Sequence, residues 1–238
     1  MLRSDKIGEA NFVRAHNDGW EDGCSNFDNI HFKDDLMKLT FSAGSPFARK
    51  VRIAAIELGL IDKIELVPAT VAPTTPNEQY SHDISPLRKL PALILDDGHV
   101  IVDSYVIVEY LDELGGGKLI PSGAKRWQVK TEHSIIQGMT DAMLLCRYEM
   151  GVRPKELFWQ AWYDDQWDRA WQGLTRFENH PDILTRPFDV SQIALVSLLI
   201  YADFRFPDCG WRAAFPKLKA FHDTMIDRPS VKATIAKT

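Results

Sequence analysis

A serine at the predicted start of a helix is the residue in this sequence best placed to take part in chemistry. Ser45 precedes Pro46, and these residue types are typical of a helix N-cap and of the first helical position, since proline lacks an N–H that would otherwise be unpaired there. Apolar residues then repeat at helical spacing up to Gly59, where we predict that the helix ends. Because a helix N-terminus stabilises negative charge, the Ser45 hydroxyl could stabilise an anion such as a thiolate.

Two later dipeptides could contribute to the same site. Leu90-Pro91 precedes a predicted hairpin, and Asp103-Ser104 precedes the next predicted helix. Ser42, which lies shortly before Ser45, is a competing hydroxyl. All of these residues also have purely structural interpretations, because the serines and the aspartate could simply cap helices and the proline could be an ordinary trans proline in a turn.

The first half of the chain alternates between predicted strands and helices. The dipeptide Asp97-Gly98 is a strong hairpin signal, whereas the region 68–85 is rich in Pro, Thr and Asn and is expected to be mostly loop. A helix that includes Val106 should end at the glycines of 115–117. The predicted strands are 36–41, 64–67, 92–95 and 99–102.

After Pro121 the sequence predicts only helices. Asp189 and Gln192 have the spacing of a capping box, and the apolar stretch 193–204 that follows indicates a helix buried in a core. A last amphipathic helix is predicted over 213–226. We therefore expect an α/β domain over 37–115, a linker over 116–123 and an all-α domain over 124–238.

The first 36 residues differ in character from the rest. They carry four basic and eight acidic residues, a net charge of −4, against −1 for the other 202 residues. Since they show little hydrophobic periodicity, we interpret 1–36 as a weakly ordered extension, with Met37 as an alternative start. The competing interpretation is that aromatic residues of this extension dock onto the body of the protein, namely Phe12, Trp20, Phe27 and Phe32.

Composition and charge exclude several classes of protein. The chain has 45% hydrophobic and 26% charged residues, which is typical of a globular protein, and no apolar run is long enough for a transmembrane helix. The nearly neutral body offers no basic footprint for nucleic acid. Cys24, Cys146 and Cys209 lie far apart, with neither metal-ligand nor disulfide spacing. We expect a cytoplasmic protein without a metal, a membrane association or a nucleic-acid partner.

Three motifs of the first half together resemble those of the glutathione S-transferase family. They are segments 45–52 (Ser-Pro-Phe-Ala-Arg-Lys-Val-Arg), 89–93 (Lys-Leu-Pro-Ala-Leu) and 102–105 (Val-Asp-Ser-Tyr). The helical second half is similar to the C-terminal domain of that family, so the resemblance covers about 37–238. The resemblance is to cytosolic, serine-type, bacterial-like members, and it implies a thioredoxin-like N-terminal domain followed by an all-α domain.

The resemblance implies a role for Ser45 at the sulfur of glutathione. Serine-type members place at this position a hydroxyl that hydrogen-bonds the sulfur, and Ser42 is the runner-up because some members use a serine nearer the strand. Omega-type and related thiol transferases carry a cysteine at this position, and this chain does not.

The resemblance also implies how the rest of glutathione would be held. Pro91 matches the cis-proline of the family, and the backbone of Leu90 would bind the cysteinyl part. Ser104 would bind the γ-glutamyl carboxylate at the helix N-terminus, and Asp103 would face the γ-glutamyl ammonium group. Lys89 is the candidate contact for the glycyl carboxylate.

A second substrate, an electrophile with apolar surface, would lie against the helical half. Aromatic residues at the spacing found there are also typical of a core, and the arginine among the candidates could equally form a structural ion pair. The basic residues Arg49, Lys50 and Arg52 are expected on a solvated face rather than at an anion site. The candidates for the second-substrate site are Arg147, Tyr148, Trp159, Trp162 and Tyr163.

The function implied by the resemblance is the transfer of glutathione to an electrophilic carbon of a small, partly apolar molecule, as in detoxification. Glutathione would be the co-substrate and no other cofactor is implied, while family analogy adds a homodimer formed by the helix from Val106 and the one after Pro121. One alternative is a non-catalytic interaction module on the same fold. The other is a glutathione-dependent isomerase or thiol reductase, although the Ser-Ser-Cys cluster of the isomerases and the cysteine of the reductases are absent here.

Overall fold

A computed structural model describes residues 36–75 and 77–235 of the chain. Both interpretations of the N-terminal extension, as weakly ordered or as docked on the body, concern residues that lie outside these ranges except for Leu36. The protein is built from a small sheet with its helices, followed by a longer series of helices.

A mixed four-stranded sheet forms within the described part of the first half. Its strands are β1 (Met37–Phe41), β2 (Ile64–Pro68), β3 (Ala92–Ile94) and β4 (Val100–Ile101). The order is β2-β1-β3-β4, with β1 parallel to β2 and antiparallel to β3, and with β3 antiparallel to β4. The predicted hairpin at Asp97-Gly98 is confirmed, because it connects β3 to β4 and Gly98 has a φ of 88°.

Two long helices of this half start where the sequence predicts. Helix α1 (Pro46–Glu57) is capped by Ser45 and is followed by Gly59, whose φ of 70° permits the chain to leave the helix. Helix α3 (Ser104–Leu114) is capped by Asp103 and ends at Gly115. Both helix ends therefore follow from local residue chemistry.

One helix of this half was not predicted. The described part of the region 68–85 is mostly loop, as expected, but it also contains helix α2 (Glu78–Asp83). The Asn77 side chain accepts a hydrogen bond from the Tyr80 N–H at 2.9 Å and starts the helix. Composition gave no sign of this helix because it has only six residues and is surrounded by turn-forming residues.

Only helices follow in the described residues after α3. The predicted last helix over 213–226 is split, because Pro216 lacks the N–H that would continue a helix and Phe215 before it has a φ of −129° and a ψ of 76°. No helix in the described ranges is long and apolar enough to cross a membrane. The helices are α4 (Ala124–Gly151), α5 (Gln160–Asn179), α6 (Asp182–Thr185), α7 (Val190–Arg205), α8 (Trp211–Ala214), α9 (Pro216–Met225) and α10 (Pro229–Lys232).

Helix α7 is the centre of the core. The predicted capping box is present, since the Asp189 carboxylate accepts the N–H groups of Ser191 and Gln192 while the Gln192 side chain accepts the Asp189 N–H. The helix is buried from Val190 to Ala202 and packs against both α1 and α4. Helix α1 also packs against α3, so its N-terminus lies near both α3 and the end of α7.

Candidate functional site

The Ser45 hydroxyl lies at the N-terminus of α1 with one of its hydrogen-bonding functions unused. Its Oγ accepts the N–H of Ala48 at 3.2 Å, which is the N-cap bond. No acceptor for the hydrogen of this half-buried hydroxyl is present among the described residues. Ser45 can therefore cap the helix and donate a hydrogen bond to an anion at the same time.

The competing Ser42 lies in the same turn. It is exposed, and its carbonyl accepts the Ser45 N–H at 3.0 Å. The turn contacts the end of α7, because a Cβ at Gly44 would lie 3.2 Å from both Arg205 Nη2 and the Phe204 ring. Both serines therefore lie beside the C-terminal end of α7, but only Ser45 occupies the N-cap position of α1.

The segment 89–92 is held by a buried hydrogen-bond chain that includes the unpredicted helix α2. The Tyr80 hydroxyl donates to the Lys89 carbonyl at 3.1 Å and lies 2.9 Å from Thr40 Oγ1, which accepts the Ala92 N–H at 3.0 Å. The Leu90–Pro91 peptide bond is cis. Helix α2 thus helps to position Leu90, whose backbone is predicted to contact the cysteinyl part of glutathione.

The backbone of Leu90 is available to a ligand. Neither its N–H nor its carbonyl is hydrogen-bonded to another residue in the part of the chain that the structure describes. Leu90 is half-buried, Pro91 is buried and Lys89 is exposed. A ligand with its own N–H and C=O groups could pair with Leu90 as a neighbouring strand would.

At the N-terminus of α3, the Asp103 side chain caps the helix, whereas the hydroxyl of the neighbouring Ser104 has no hydrogen-bond partner among the described residues. Asp103 Oδ1 accepts the Tyr105 N–H at 2.9 Å, and this carboxylate is exposed. Ser104 is only 1% exposed, and its hydroxyl makes no hydrogen bond to any described residue. A buried hydroxyl without a partner costs free energy, so the arrangement fits a site that a ligand completes.

The expectation that Arg49 and Lys50 lie on a solvated face was wrong. Arg49 is 3% exposed and Lys50 is 2% exposed. Lys50 Nζ lies 2.9 Å from His133 Nε2 and 2.7 Å from Gln137 Oε1, both on α4. Residues in an amphipathic helix are assigned to its solvent face by charge, but here a second helix covers that face and supplies polar partners.

The environment of Lys50 is electrostatically unusual. Burial lowers the pKa of Lys50 to about 7, although the negative charges of Asp103 and Asp141 oppose this shift. Burial and the nearby charge of Lys50 lower the pKa of His133 to about 2, so this imidazole is neutral at physiological pH.

Sequence reasoning missed the three polar residues that α4 directs towards this region. His133, Gln137 and Asp141 follow one another at intervals of four residues, and such residues share one face of a helix. His133 also stacks on the Tyr105 ring of α3, with centroids 4.3 Å apart and an interplanar angle of 11°. The four-residue spacing was the available signal.

The structure separates the second-substrate candidates into two groups. Arg147 lies close enough to Tyr201 of α7 for its charge to act on that hydroxyl, as does Arg205 beside Gly44, and Tyr148 also interacts electrostatically with Tyr201. Burial raises the pKa of Tyr201 to about 12, which keeps its hydroxyl protonated. This group adjoins the turn that carries Ser45.

The aromatic candidates around the start of α5 have other neighbours. Tyr163 stacks with Trp167, and its carbonyl accepts a hydrogen bond from the Cys146 thiol at 3.6 Å. Trp159 is 63% exposed, while Trp162 is half-buried. No hydrogen bond or ring contact among the described residues joins these three candidates to Ser45.

Two known domain families match the chain. The N-terminal domain of glutathione S-transferase matches residues 44–114, and the C-terminal domain of glutathione S-transferase matches residues 160–224. The first range contains both helix N-termini described above, and the second contains α7 with its capping box. The expected order of a thioredoxin-like domain and an all-α domain is confirmed by these matches.

Two solved structures of glutathione transferases and one GST-like protein are also similar to this chain. A glutathione transferase family member from Pseudomonas fluorescens Pf-5 with bound glutathione is 36% identical, has a TM-score of 0.82, and is covered over 100% of its length by 85% of this chain. A glutathione S-transferase from Methylobacillus flagellatus KT with glutathione bound is 31% identical, has a TM-score of 0.74, and the match covers 84% of this chain and 100% of that one. An uncharacterized GST-like protein of Escherichia coli K12, YibF, is 25% identical over 207 residues, which are 83% of this chain and 98% of that protein.

Proposed function

The chain belongs to the glutathione S-transferase family, and we propose that it binds glutathione as the thiolate and transfers it to an electrophilic carbon of a small, partly apolar molecule. Glutathione is the co-substrate in this proposal. The relatives from Pseudomonas and Methylobacillus that bind glutathione support it.

The unpartnered Ser104 hydroxyl is the observation that carries the proposal. It is buried at the N-terminus of α3, next to the exposed carboxylate of Asp103. An α-amino acid end group, with a carboxylate for Ser104 and an ammonium group for Asp103, matches this pair in charge and hydrogen bonding. The γ-glutamyl end of glutathione is such a group.

The role proposed for Ser45 is to donate a hydrogen bond to the sulfur. A thiol of ordinary pKa, about 8.5, is ionised only to a few per cent at neutral pH, and lowering that pKa by about two units requires about 2.7 kcal/mol. A hydrogen bond to an ion contributes about 1.5–3 kcal/mol, and a helix N-terminus adds about 0.3–1 kcal/mol. Ser45 and α1 together can supply the required free energy, and Ser45 need not be deprotonated.

The middle and the far end of glutathione have proposed contacts of their own. The N–H and carbonyl of Leu90 would pair with the cysteinyl residue, in the manner of strand addition. The exposed Lys89 would face the glycyl carboxylate. The hydrogen bonds from Tyr80 and Thr40 already hold the segment that would make both contacts.

For the transfer reaction, the thiolate of glutathione must be held close to the electrophilic carbon. Bringing the thiolate and an electrophilic carbon into contact converts an encounter in solution into a reaction within one complex. Arg147 and Tyr148, which lie near the end of α7, are the proposed contacts for the electrophile, while the aromatic residues Trp159, Trp162 and Tyr163 remain weaker candidates.

Thiol reduction through a protein cysteine is disfavoured by the two cysteines that the structure describes. Burial raises the pKa of the Cys146 thiol to about 12, and burial also raises the pKa of the Cys209 thiol. A thiol that stays protonated is a poor nucleophile. Position 45, where a reductase needs a cysteine, is a serine.

Retention on immobilised glutathione, followed by assays against a panel of electrophiles, tests the proposal. We expect the full chain to be retained, to be eluted by free glutathione and to turn over at least one electrophile. Failure of the chain to bind immobilised glutathione would contradict the whole proposal. A chain that binds glutathione but accelerates no reaction would support the non-catalytic interaction module instead.

A further inference from the structure

Lys50 forms no ion pair with a carboxylate among the described residues. Its side chain is 2% exposed, and its two hydrogen-bond partners, His133 and Gln137, are both uncharged. An ammonium group has three N–H donors, so the third has no partner in the described part of the chain. Buried charges in proteins are normally paired, and an unpaired one points either to a neutral amine or to a missing anion.

The neighbours of Lys50 connect it to the proposed γ-glutamyl site. His133 contacts Lys50 through Nε2 and stacks on the Tyr105 ring, and Tyr105 directly follows the unpartnered Ser104. The carboxylate of Asp103 lies close enough for its charge to act on Lys50. A cation without an anion and a buried hydroxyl without a partner therefore lie on adjoining elements, α1 and α3.

We propose that the γ-glutamyl carboxylate of glutathione is the counter-ion of Lys50, and that Lys50 takes up a proton from solvent when glutathione binds. This inference rests on the proposed binding of glutathione. It assigns to Lys50 a contact with the ligand and a change of charge that accompanies binding.

The direction of the proton transfer follows from the groups that face Lys50. These are His133, Gln137 and Asp141 from α4 and Asp103 from the cap of α3, while Lys130 acts on His133. Without ligand, burial leaves Lys50 with a pKa of about 7, so a large share of its amines are neutral at physiological pH. A carboxylate within hydrogen-bond distance favours the ammonium form and raises the pKa, so binding must draw a proton onto Nζ.

Calorimetry on the full chain tests this without any substitution. S-methylglutathione removes the thiol as a proton source, and titrations in buffers of different ionisation enthalpy count the protons exchanged. At about pH 8, where about 90% of amines with a pKa near 7 are neutral, we expect uptake of roughly 0.5–1 proton per ligand. The same ligand without its γ-glutamyl carboxylate should bind roughly 10- to 100-fold more weakly, with uptake near zero.

Substitution of Lys50 completes a double comparison of two proteins with two ligands. Lys50→Met should lose the same roughly 10- to 100-fold in affinity for S-methylglutathione, lose the proton uptake, and bind the carboxylate-free ligand as the wild type does. Lys118→Met, at an exposed lysine, is the matched control and should behave as the wild type.

Three outcomes would overturn the inference. The first is proton uptake that persists in Lys50→Met, and the second is a substitution that weakens the binding of S-methylglutathione and of the carboxylate-free ligand equally. The third is equal proton uptake when the wild type binds either ligand, and this can be measured even if the variant does not fold. Binding of S-methylglutathione by the wild type in any of these cases leaves the proposed function intact, whereas absence of binding removes both.

Discussion

Ser45 Oγ accepts the backbone N–H of Ala48 at 3.2 Å, so a single hydroxyl caps α1 and keeps its own hydrogen for another acceptor. This dual use means that a substitution at Ser45 acts on stability through the cap and on catalysis through the donated hydrogen bond. The two effects can be separated by choosing the replacement residue.

Ser45→Ala should lower kcat/KM for conjugation by roughly 10- to 100-fold, since it removes a charge-assisted hydrogen bond, and should cost about 1 kcal/mol of stability through the cap. Ser45→Thr keeps both functions and should restore most of each. The pKa of bound glutathione, followed by thiolate absorbance, should rise in Ser45→Ala. If Ser42→Ala shows these losses and Ser45→Ala does not, the wrong hydroxyl has been assigned.

Ser104→Ala should change stability and binding in opposite directions. The hydroxyl is buried without a partner in the described structure, so its removal should raise the free energy of unfolding of the ligand-free protein by about 1 kcal/mol. Affinity for glutathione should fall by roughly tenfold or more, because the carboxylate loses a donor. Denaturant unfolding and calorimetry measure the two effects. A loss of stability in the ligand-free variant would show that the hydroxyl has a partner in solution.

The end of α1 offers a test that does not involve the site. The Glu57 carboxylate accepts a hydrogen bond from Arg228, with 2.8 Å between Arg228 Nε and Glu57 Oε1, and another from the Ser230 hydroxyl. Burial raises the pKa of Glu57, but these hydrogen bonds and the charge of Arg228 outweigh burial, so the net shift is downward from 4.5. Glu57→Gln should therefore cost about 1–3 kcal/mol at neutral pH.

The contribution of Glu57 also has a defined pH dependence. Because its pKa is lower in the folded protein, its stabilisation is complete above 4.5 and is lost as the pH falls through the folded value. Glu57→Gln should thus show a shallower loss of stability in acid than the wild type. Glu65→Gln, which removes only the exposed pair with Lys38, is the control and should change stability by less than about 1 kcal/mol. Equal effects of the two substitutions would contradict this account.

Trp127 tests the proposed dimer. It is 69% exposed near the start of α4, and Val106 on α3 is 47% exposed. The pair Arg126–Glu109, at 3.0 Å, joins these two helices near both residues. If a second copy covers this surface, Trp127→Glu should shift the dimer to monomer in analytical ultracentrifugation, because a buried unpaired carboxylate is costly. Trp159→Glu, at another exposed tryptophan, should leave the assembly unchanged, and a wild-type monomer would exclude the proposal.

Elements with local signals were predictable from the sequence. The start of α1, the hairpin at Asp97-Gly98 and the capping box of α7 each depend on residues within one turn of one another. Helix α2 was not predictable in the same way, because a helix of six residues in a region rich in Pro, Thr and Asn is too short to show a periodicity. Its Tyr80 nevertheless holds the segment that contains Leu90.

The residues proposed to bind glutathione could be predicted from the sequence alone, because the caps at Ser45 and Asp103 and the motif around Pro91 are local features in a recognisable order. The burial of Lys50 against His133, which lies 83 positions further along the chain, follows from the tertiary fold and not from any local pattern. A charged residue near a helix N-terminus is ordinarily solvated, and no local signal reveals that another helix will cover it. Burial depends on the packing of distant elements, and this packing leaves Lys50 buried without a carboxylate at ion-pair distance.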